Sequence, residues 1–299
     1  MHLPIDKPVK MLLRSKDVLH DFAVAEFRVK MDLVPGLVTY LWLTPIRTGT
    51  FVILCEELCG LGHFTMRGRV VVDTQEDYDT WRDSLMTFSE MSAIGPGDPL
   101  IGQATYPVCA ACHGNQGEGS IALNSPKLSG QEGWYIETQL NNFKRGVRGA
   151  HKDDVYGQQM APMAAVLADD AAIRNMAAYI VTLPEHARVT SLKGDVDRGE
   201  HLYRTCGTCH GINGEGNYAT NSPRLRGQED WYLKRQLQNF KSGLRGAHRQ
   251  DLFGPQMRSM SRMLRTEEDI NDVIAYINTL EPAIKRDQVA AVAMQGGEE

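Results

Sequence analysis

Two hydrophobic rhythms divide the chain. From Lys10 to Asp73 the apolar residues come in short runs rich in β-branched and aromatic side chains: Phe22–Phe27, Leu37–Leu43, Phe51–Leu54 and Arg69–Asp73. Pro35-Gly36, Pro45 and Thr48-Gly49 punctuate them. Short strands at this spacing predict a β-sandwich or Greek-key barrel. Thr74 then opens a helix, with Asp77 placed to complete a capping box and Tyr78, Trp81 and Leu85 on the face toward the barrel. Ser89 to Pro99, centred on Gly95-Pro96-Gly97, reads as a linker.

Beyond the linker the period becomes helical, and the text repeats. Cys109 matches Cys206 at an offset of 97 residues, and the same offset relates Trp134 to Trp231, His151 to His248, Met160 to Met257 and Leu183 to Leu280. Asn124-Ser-Pro126 recurs as Asn221-Ser-Pro223, and Gln139-Leu140 as Gln236-Leu237. No insertion is needed, so this is a tandem domain duplication rather than a solenoid. Each copy is expected to open with a short helix before its Cys pair and to close with a longer one. The closing stripes are Ile173, Met176, Ala177 and Ile180, and Ile270, Val273, Ile274 and Ile277. Thr266 and Asp269 form a capping box for the second closing helix, and Pro184 and Pro282 stop the two.

The 299 residues leave room for two or three domains. A hydrophobic content of 42%, a charged content of 23% and a net charge of -5 are ordinary for a globular chain and argue against nucleic acid as a partner. No run of about 18 apolar residues spans a membrane, and Met1–Asp6 lacks the basic and apolar segments of a secretion signal. Six cysteines form three close pairs: Cys55/Cys59, Cys109/Cys112 and Cys206/Cys209. Each pair has a His following at ligand spacing, which favours cofactor sites over a disulfide framework.

Cys109-Ala-Ala-Cys112-His113 and Cys206-Gly-Thr-Cys209-His210 both read C-x-x-C-H, the attachment signature of c-type haem. The thiols add to the haem vinyl groups, and the adjacent His lies under the iron. Two copies in a duplicated domain argue against a zinc site. Met is the expected distal ligand. Met160 and Met257 are favoured over Met163 and Met260, because their distance to the Leu before the closing helix resembles the axial position of class-I-like c cytochromes. The unchosen pair and Met263 then read as core fillers. In the same family a proline carbonyl orients the proximal His, and Pro126 and Pro223 match that position. Trp134-Tyr135 and Trp231-Tyr232 either flank the haems or pack in the core. His151 and His248 sit among Arg and Gly and read as surface-loop residues.

The stretch Cys55 to Met66 holds two thiols, an imidazole and a thioether as C-x3-C-x3-H-x2-M. This is the soft donor set of copper. Two Cys four apart can bridge two copper ions, as in the binuclear centre called CuA. Each copper then needs a terminal imidazole, and His20, 35 residues before Cys55, supplies the second.

Here the chain resembles a known family. Ser15-x-Asp17-Val18-x-His20-x-Phe22, then Lys30-Met-Asp32-Leu-Val-Pro35-Gly36, then Cys55 to Met66 resemble the CuA domain of cytochrome c oxidase subunit II. The resemblance implies that Cys55 and Cys59 bridge the coppers and that His20 and His63 are terminal ligands. It makes Met66 and the Glu57 carbonyl weak axial ligands, with the Glu57 carboxylate reaching a magnesium ion at the contact with subunit I. Lys30 and Asp32 read equally well as turn stabilisers. The appended cytochromes look like those fused to subunit II in caa-type bacterial oxidases, although most such fusions carry one.

The fold expected is therefore a cupredoxin-like Greek-key barrel (residues 1–90), two all-α class-I-like cytochrome c domains (97–186 and 194–284) and a disordered tail (285–299). The function the resemblance implies is that of a non-catalytic subunit of a proton-pumping cytochrome-c oxidase. Electrons from a periplasmic donor, a cytochrome c or a quinol-oxidising complex, would pass through two c haems and CuA to subunit I. The alternatives are a stand-alone soluble electron carrier and the electron-input module of a nitrogen-oxide reductase. Subunit II normally begins with a two-helix membrane hairpin and an aromatic strand, which this sequence lacks. The expectation is an N-terminally shortened chain on the periplasmic side of a bacterial inner membrane, anchored upstream and associated with the other oxidase subunits.

Overall fold

The computed structural model describes residues 1–16, 18–60, 63–186 and 190–280. The chain divides into two compact units, Met1–Gly95 and Pro96–Glu299. Among the described residues no helix is long and apolar enough to cross a membrane. Asp17 of the subunit II motif, Pro282 and the tail from 285 to 299 lie outside the described residues.

The first unit is a cupredoxin-like half-barrel of two sheets. The strands are β1 (His2–Pro4), β2 (Val9–Leu13), β3 (His20–Val24), β4 (Val29–Leu33), β5 (Thr39–Leu43), β6 (Gly49–Leu54) and β7 (Arg67–Asp73). One sheet runs β1-β7-β6-β3-β4, and β2 pairs with β5 in the other. Only β1 and β7 are parallel. Alternation sends Leu13, Phe22, Val24, Leu41, Phe51, Val70 and Val72 inward to one apolar core. Tyr40 and Trp42, on either side of Leu41, stay exposed and stacked on each other.

Four expectations are corrected here. The strand expected to reach Phe27 ends at Val24, because Ala25–Phe27 form a 3-10 turn and Arg28 takes a left-handed φ of 56°. The linker contains a helix: α1 (Gln75–Asp83) is followed by α2 (Phe88–Ala93), which Thr87 and Glu90 start with a complete capping box. At α1 the Thr74 side chain accepts from Asp77 N–H and its hydroxyl donates to the Asp77 carboxylate, in place of the full box. Trp81 stacks on His2 with ring centroids 4.3 Å apart, but Leu85 falls beyond the helix end and is exposed.

The second unit holds the two helical copies. The first consists of α3 (Pro99–Thr105), α4 (Pro107–His113), α5 (Gly133–Lys144), α6 (Val155–Ala165) and α7 (Asp170–Ile180). The second consists of α8 (Val196–His210), α9 (Asp230–Ser242), α10 (Gly254–Ser261) and α11 (Glu267–Thr279). The first copy opens as expected, with the short α3 ahead of the helix that carries the Cys pair; in the second copy the opening helix α8 runs on through the Cys pair, contrary to the short helix expected. In the second copy its 15 residues exceed the 13 of α11. Pro107 divides the first copy's opening segment into two; Arg204 stands at that place in the second, where the helix is continuous. Both closing stripes are buried, and they form the centres of the two cores. The opening and closing helices approach closely at Gly102 and Gly199. A Cβ at Gly102 would strike the Asn175 carbonyl, and one at Gly199 the Asp272 carbonyl.

Candidate metal and haem centres

The β6–β7 connection carries the soft donors. β6 delivers Cys55, β7 starts just after Met66, and Cys55 N–H closes the loop on Met66 O at 3.2 Å. His20 begins β3, which pairs with β6 through Ala23 and Leu54, so 35 residues of separation collapse to one site. The ligand atoms of His20, Cys55 and Cys59 lie within 4.8 Å of one another. Cys55 Sγ is 3.9 Å from His20 Nδ1 and 3.8 Å from Cys59 Sγ. Cys59 Sγ is 3.5 Å from His63 Nδ1 and 3.0 Å from Met66 Sδ. The Glu57 carbonyl lies 3.4 Å from Cys55 Sγ.

The arrangement is two thiols at the centre, an imidazole against each, and a thioether and a carbonyl at the sides. Its chemistry suits a pair of copper ions sharing both sulfurs. Burial pushes the Cys55 thiol up, but contacts with the Asp21 and Glu57 backbone, His20 and Cys59 outweigh it and bring the thiol down to about 7. A thiolate is therefore accessible near neutral pH, as metal binding requires.

Asp21 was not singled out by the sequence. Next to His20 and 95% buried, it accepts Glu56 N–H on Oδ1 and faces Lys30 Nζ at 3.6 Å on Oδ2. Lys30 also reaches the Glu56 carboxylate at 3.5 Å and the Glu57 carboxylate at 3.3 Å. The ligand loop is thereby strapped to β3 and β4. A buried carboxylate beside a ligand is the signal that burial, unlike spacing, reveals.

In the helical unit, α4 and α8 end on His113 and His210. Each imidazole meets a proline carbonyl through Nδ1: His113 with Pro126 O at 2.7 Å and His210 with Pro223 O at 2.8 Å. Burial lowers both imidazoles below the usual histidine value, and the carbonyls oppose this only in part. The rings stay neutral, with Nδ1–H committed and Nε2 available to a metal. Burial pushes the Cys109 and Cys206 thiols up to about 11.

A cavity of about 1150 Å³ runs through both helical copies. Its wall includes Cys109, Cys112 and His113 with Met160 and Met163, and Cys206, Cys209 and His210 with Met257, Met260 and Met263. The donors and the volume suit two tethered macrocycles, each with a proximal imidazole and a thioether opposite. Met160 packs against the first core, whereas Met163 is 38% exposed. Trp134, Tyr135 and Tyr232 line the cavity too. His151 and His248 lie exposed on loops.

The two copies meet by an exchange of equivalent residues. Arg148 Nη1 donates to Gln139 of its own copy at 2.8 Å, and Nη2 to Tyr232 Oη at 3.0 Å and Gln236 Oε1 at 3.1 Å. Arg245 repeats this with Gln236 at 2.8 Å, Tyr135 Oη at 3.0 Å and Gln139 at 2.8 Å. Gln131 donates to Arg224 O at 3.2 Å and Gln228 to Lys127 O at 3.1 Å, a second reciprocal pair. All of these line the cavity, so the seam between the copies is also a wall of the cofactor space. Both arginines stand at the same offset of 97 in the sequence, and that recurrence was the available signal.

A β frame holding a soft-donor cluster and paired thiol–imidazole motifs around one helical cavity define an electron-transport protein. The family described as cytochrome c matches residues 100–184 and 196–281, and that described as cytochrome c oxidase subunit II, periplasmic domain, matches residues 1–74. The chain belongs to the cytochrome c family, with a subunit II periplasmic domain ahead of its two cytochrome c domains. It is 61% identical over 92 residues to the alternative cytochrome c oxidase subunit 2 of Bradyrhizobium diazoefficiens, covering 31% of this chain and 33% of that one. It thus spans about a third of that relative's length. Cytochrome c4 of Azotobacter vinelandii is 34% identical over 200 residues, covering 63% of this chain and 91% of its own. The crystal structure of reduced cytochrome c4 from Pseudomonas stutzeri superimposes with a TM-score of 0.50 at 30% identity, over 62% of this chain and all of that one.

Proposed function

We propose that the chain is the electron-input subunit of a haem–copper terminal oxidase. It passes electrons from a periplasmic donor through two c haems and a binuclear copper centre to the oxygen-reducing subunit. It lies on the periplasmic side of a bacterial inner membrane and carries out no oxygen chemistry itself. The observation that carries the reading is the convergence of His20, Cys55, Cys59, His63 and Met66 in a chain whose other half presents two C-x-x-C-H motifs to one cavity. The division into 1–90, 97–186 and 194–284 belongs to the same proposal.

Haem and a sulfur-bridged copper pair supply one-electron redox chemistry when bound. The residues supply the frame. Cys55, Cys59, His20 and His63 would hold the copper pair through their sulfurs and imidazoles, with Met66 and the Glu57 carbonyl as weaker donors. Cys109/Cys112 and Cys206/Cys209 would tether the haems, and the proline-fixed His113 and His210, with Met160 and Met257, would ligate them. With those residues as ligands no position would be left open, which would suit the centres to outer-sphere electron transfer rather than substrate binding. Holding the ligands on paired strands and packed helices limits their movement between redox states. The Glu57 carboxylate, held by Lys30 at 3.3 Å, is the group offered to magnesium at a subunit I contact.

The test is composition. Copper analysis and a haem assay on the purified chain should give two coppers and two covalently bound haems. Zinc, or a single copper, would reject the binuclear assignment.

A further inference from the structure

The two cytochrome copies share a scaffold but differ on one lobe. α6 and α10 carry the favoured distal methionines, Met160 and Met257. At the offset of 97, Ala161, Ala165 and Ala168 of the first copy become Arg258, Arg262 and Arg265 of the second. Between residues 249 and 265 four arginines accompany one aspartate, whereas between 152 and 168 one lysine accompanies two aspartates. The fold does not require these arginines, because the first copy builds the same lobe with alanine, the better helix former. Even the underlying anchor is shared: Lys144 bonds the carbonyls of Leu167 and Ala168, and Lys241 those of Leu264 and Arg265.

The arginines are not consumed internally. Arg262 and Arg265 are exposed. Among the described residues no carboxylate pairs with Arg258, Arg262 or Arg265, and Arg258 Nε is buried without a hydrogen-bond partner. The neighbouring carboxylates are occupied elsewhere. Asp251 caps Gly254 N–H at 2.7 Å, Glu267 holds Lys234, and Asp269 holds Arg198; Glu268 stays exposed. Beside the arginines, Leu252 (78% exposed), Phe253 and Met263 (43%) form an apolar spot that also lines the cofactor cavity. The first copy has exposed apolar residues at the matching places, Val155, Tyr156 and Val166, but alanines in place of the three arginines; the cation there is Arg235, 4.2 Å over the Tyr156 ring and already bonded to Asn124 Oδ1.

An apolar contact at a cofactor rim, bordered by unpaired cations, is the anatomy of a transient, electrostatically steered complex. We propose that the α10 lobe of the second cytochrome domain is the docking face for an acidic redox protein, and that the equivalent lobe of the first domain is not. The proposal rests on the electron-transfer reading and adds which domain meets the partner and by what charge.

The test uses the full haem-loaded chain and an acidic flavodoxin as probe, with binding followed calorimetrically at roughly 20 mM and 300 mM salt. Binding should be strong at low salt and weaken about tenfold or more at high salt. Arg258→Ala/Arg262→Ala/Arg265→Ala should lose about as much at low salt, and Arg262→Glu alone a smaller part. Ala161→Arg/Ala165→Arg/Ala168→Arg should create a second site. Unchanged binding by the triple-alanine and Arg262→Glu variants overturns the proposal. So does arginine-dependent binding found only with phosphatidylglycerol vesicles, which would make the face a lipid contact. Reduction by neutral lumiflavin should be equal in wild type and variants. Haems that it cannot reduce at all would remove the electron-transfer reading, and this proposal with it.

Discussion

Arg148 in the first cytochrome domain donates to Tyr232 Oη in the second at 3.0 Å, and Arg245 in the second returns the bond to Tyr135 Oη at the same distance. The duplication has produced its own interface, in which each copy supplies the donor that the other accepts. Burial would push the Tyr232 phenol up, but the arginines around it outweigh that and hold it below the ordinary tyrosine value. Arg148→Ala leaves Tyr232 Oη without its arginine donor in a half-buried seam, while Gln236 keeps only that from Arg245. It should cost about 2 kcal/mol in guanidinium unfolding of the chain, with Tyr232→Phe costing less. Equal stability of Arg148→Ala and wild type would mean that the seam contributes little.

Asp21 holds the Cys55–Met66 loop, the proposed copper site, by accepting Glu56 N–H and facing Lys30. Asp21→Ala frees that N–H and removes the strap, so the copper absorption and hyperfine values should change while both haem bands stay as they were. A copper spectrum identical to wild type would assign Asp21 to stability alone.

Much of this clustering was legible because the residues involved are local. Cys55 to Met66 and both C-x-x-C-H motifs are fixed spacings within one loop or one helix end, and the 97-residue repeat needed only inspection. His20 was expected beside Cys55 and Cys59 because the proposed binuclear set needs a second imidazole, and the fold brings its ring within 4.8 Å of both thiols. The Arg–Tyr exchange was not, because its partners lie 84 and 110 residues apart and meet only when the domains dock. The α2 helix was missed because Gly95-Pro96-Gly97 dominated the reading of a segment whose Thr87–Glu90 box was also in plain text. The premature end of β3 depends on Arg28 adopting a left-handed φ, which composition does not announce.

Met160 packs against the first helical core and Met163 is partly exposed, although both border the cavity. Met160→Ala should turn the first haem high-spin or leave it with a new ligand, and Met163→Ala should not. Optical and magnetic circular dichroism spectra distinguish the two. The opposite pattern would transfer the distal role to Met163.

Asp269 accepts Arg265 N–H at 2.7 Å and Thr266 N–H at 3.0 Å and pairs with Arg198. The Thr266 backbone bond is the main reason its carboxyl is held below the ordinary value of 3.8. A carboxyl depressed in the folded state stabilises at pH above the unfolded value and loses that contribution as pH falls through the folded one. Asp269→Asn should therefore cost about 1 kcal/mol at pH 7, with the difference from wild type shrinking as the pH drops below 3.8. A pH-independent difference would exclude the carboxylate charge as its cause.

Cys55 and Cys59 are proposed to bridge two coppers between His20 and His63. Electron paramagnetic resonance of the copper-loaded chain, with the haem signals subtracted, addresses this most directly. The spectrum should show a hyperfine pattern from one electron shared equally by two copper nuclei, lost in Cys55→Ser while both haem bands persist. A pattern from a single copper nucleus, or a shared-electron signal surviving in Cys55→Ser, would contradict the proposal.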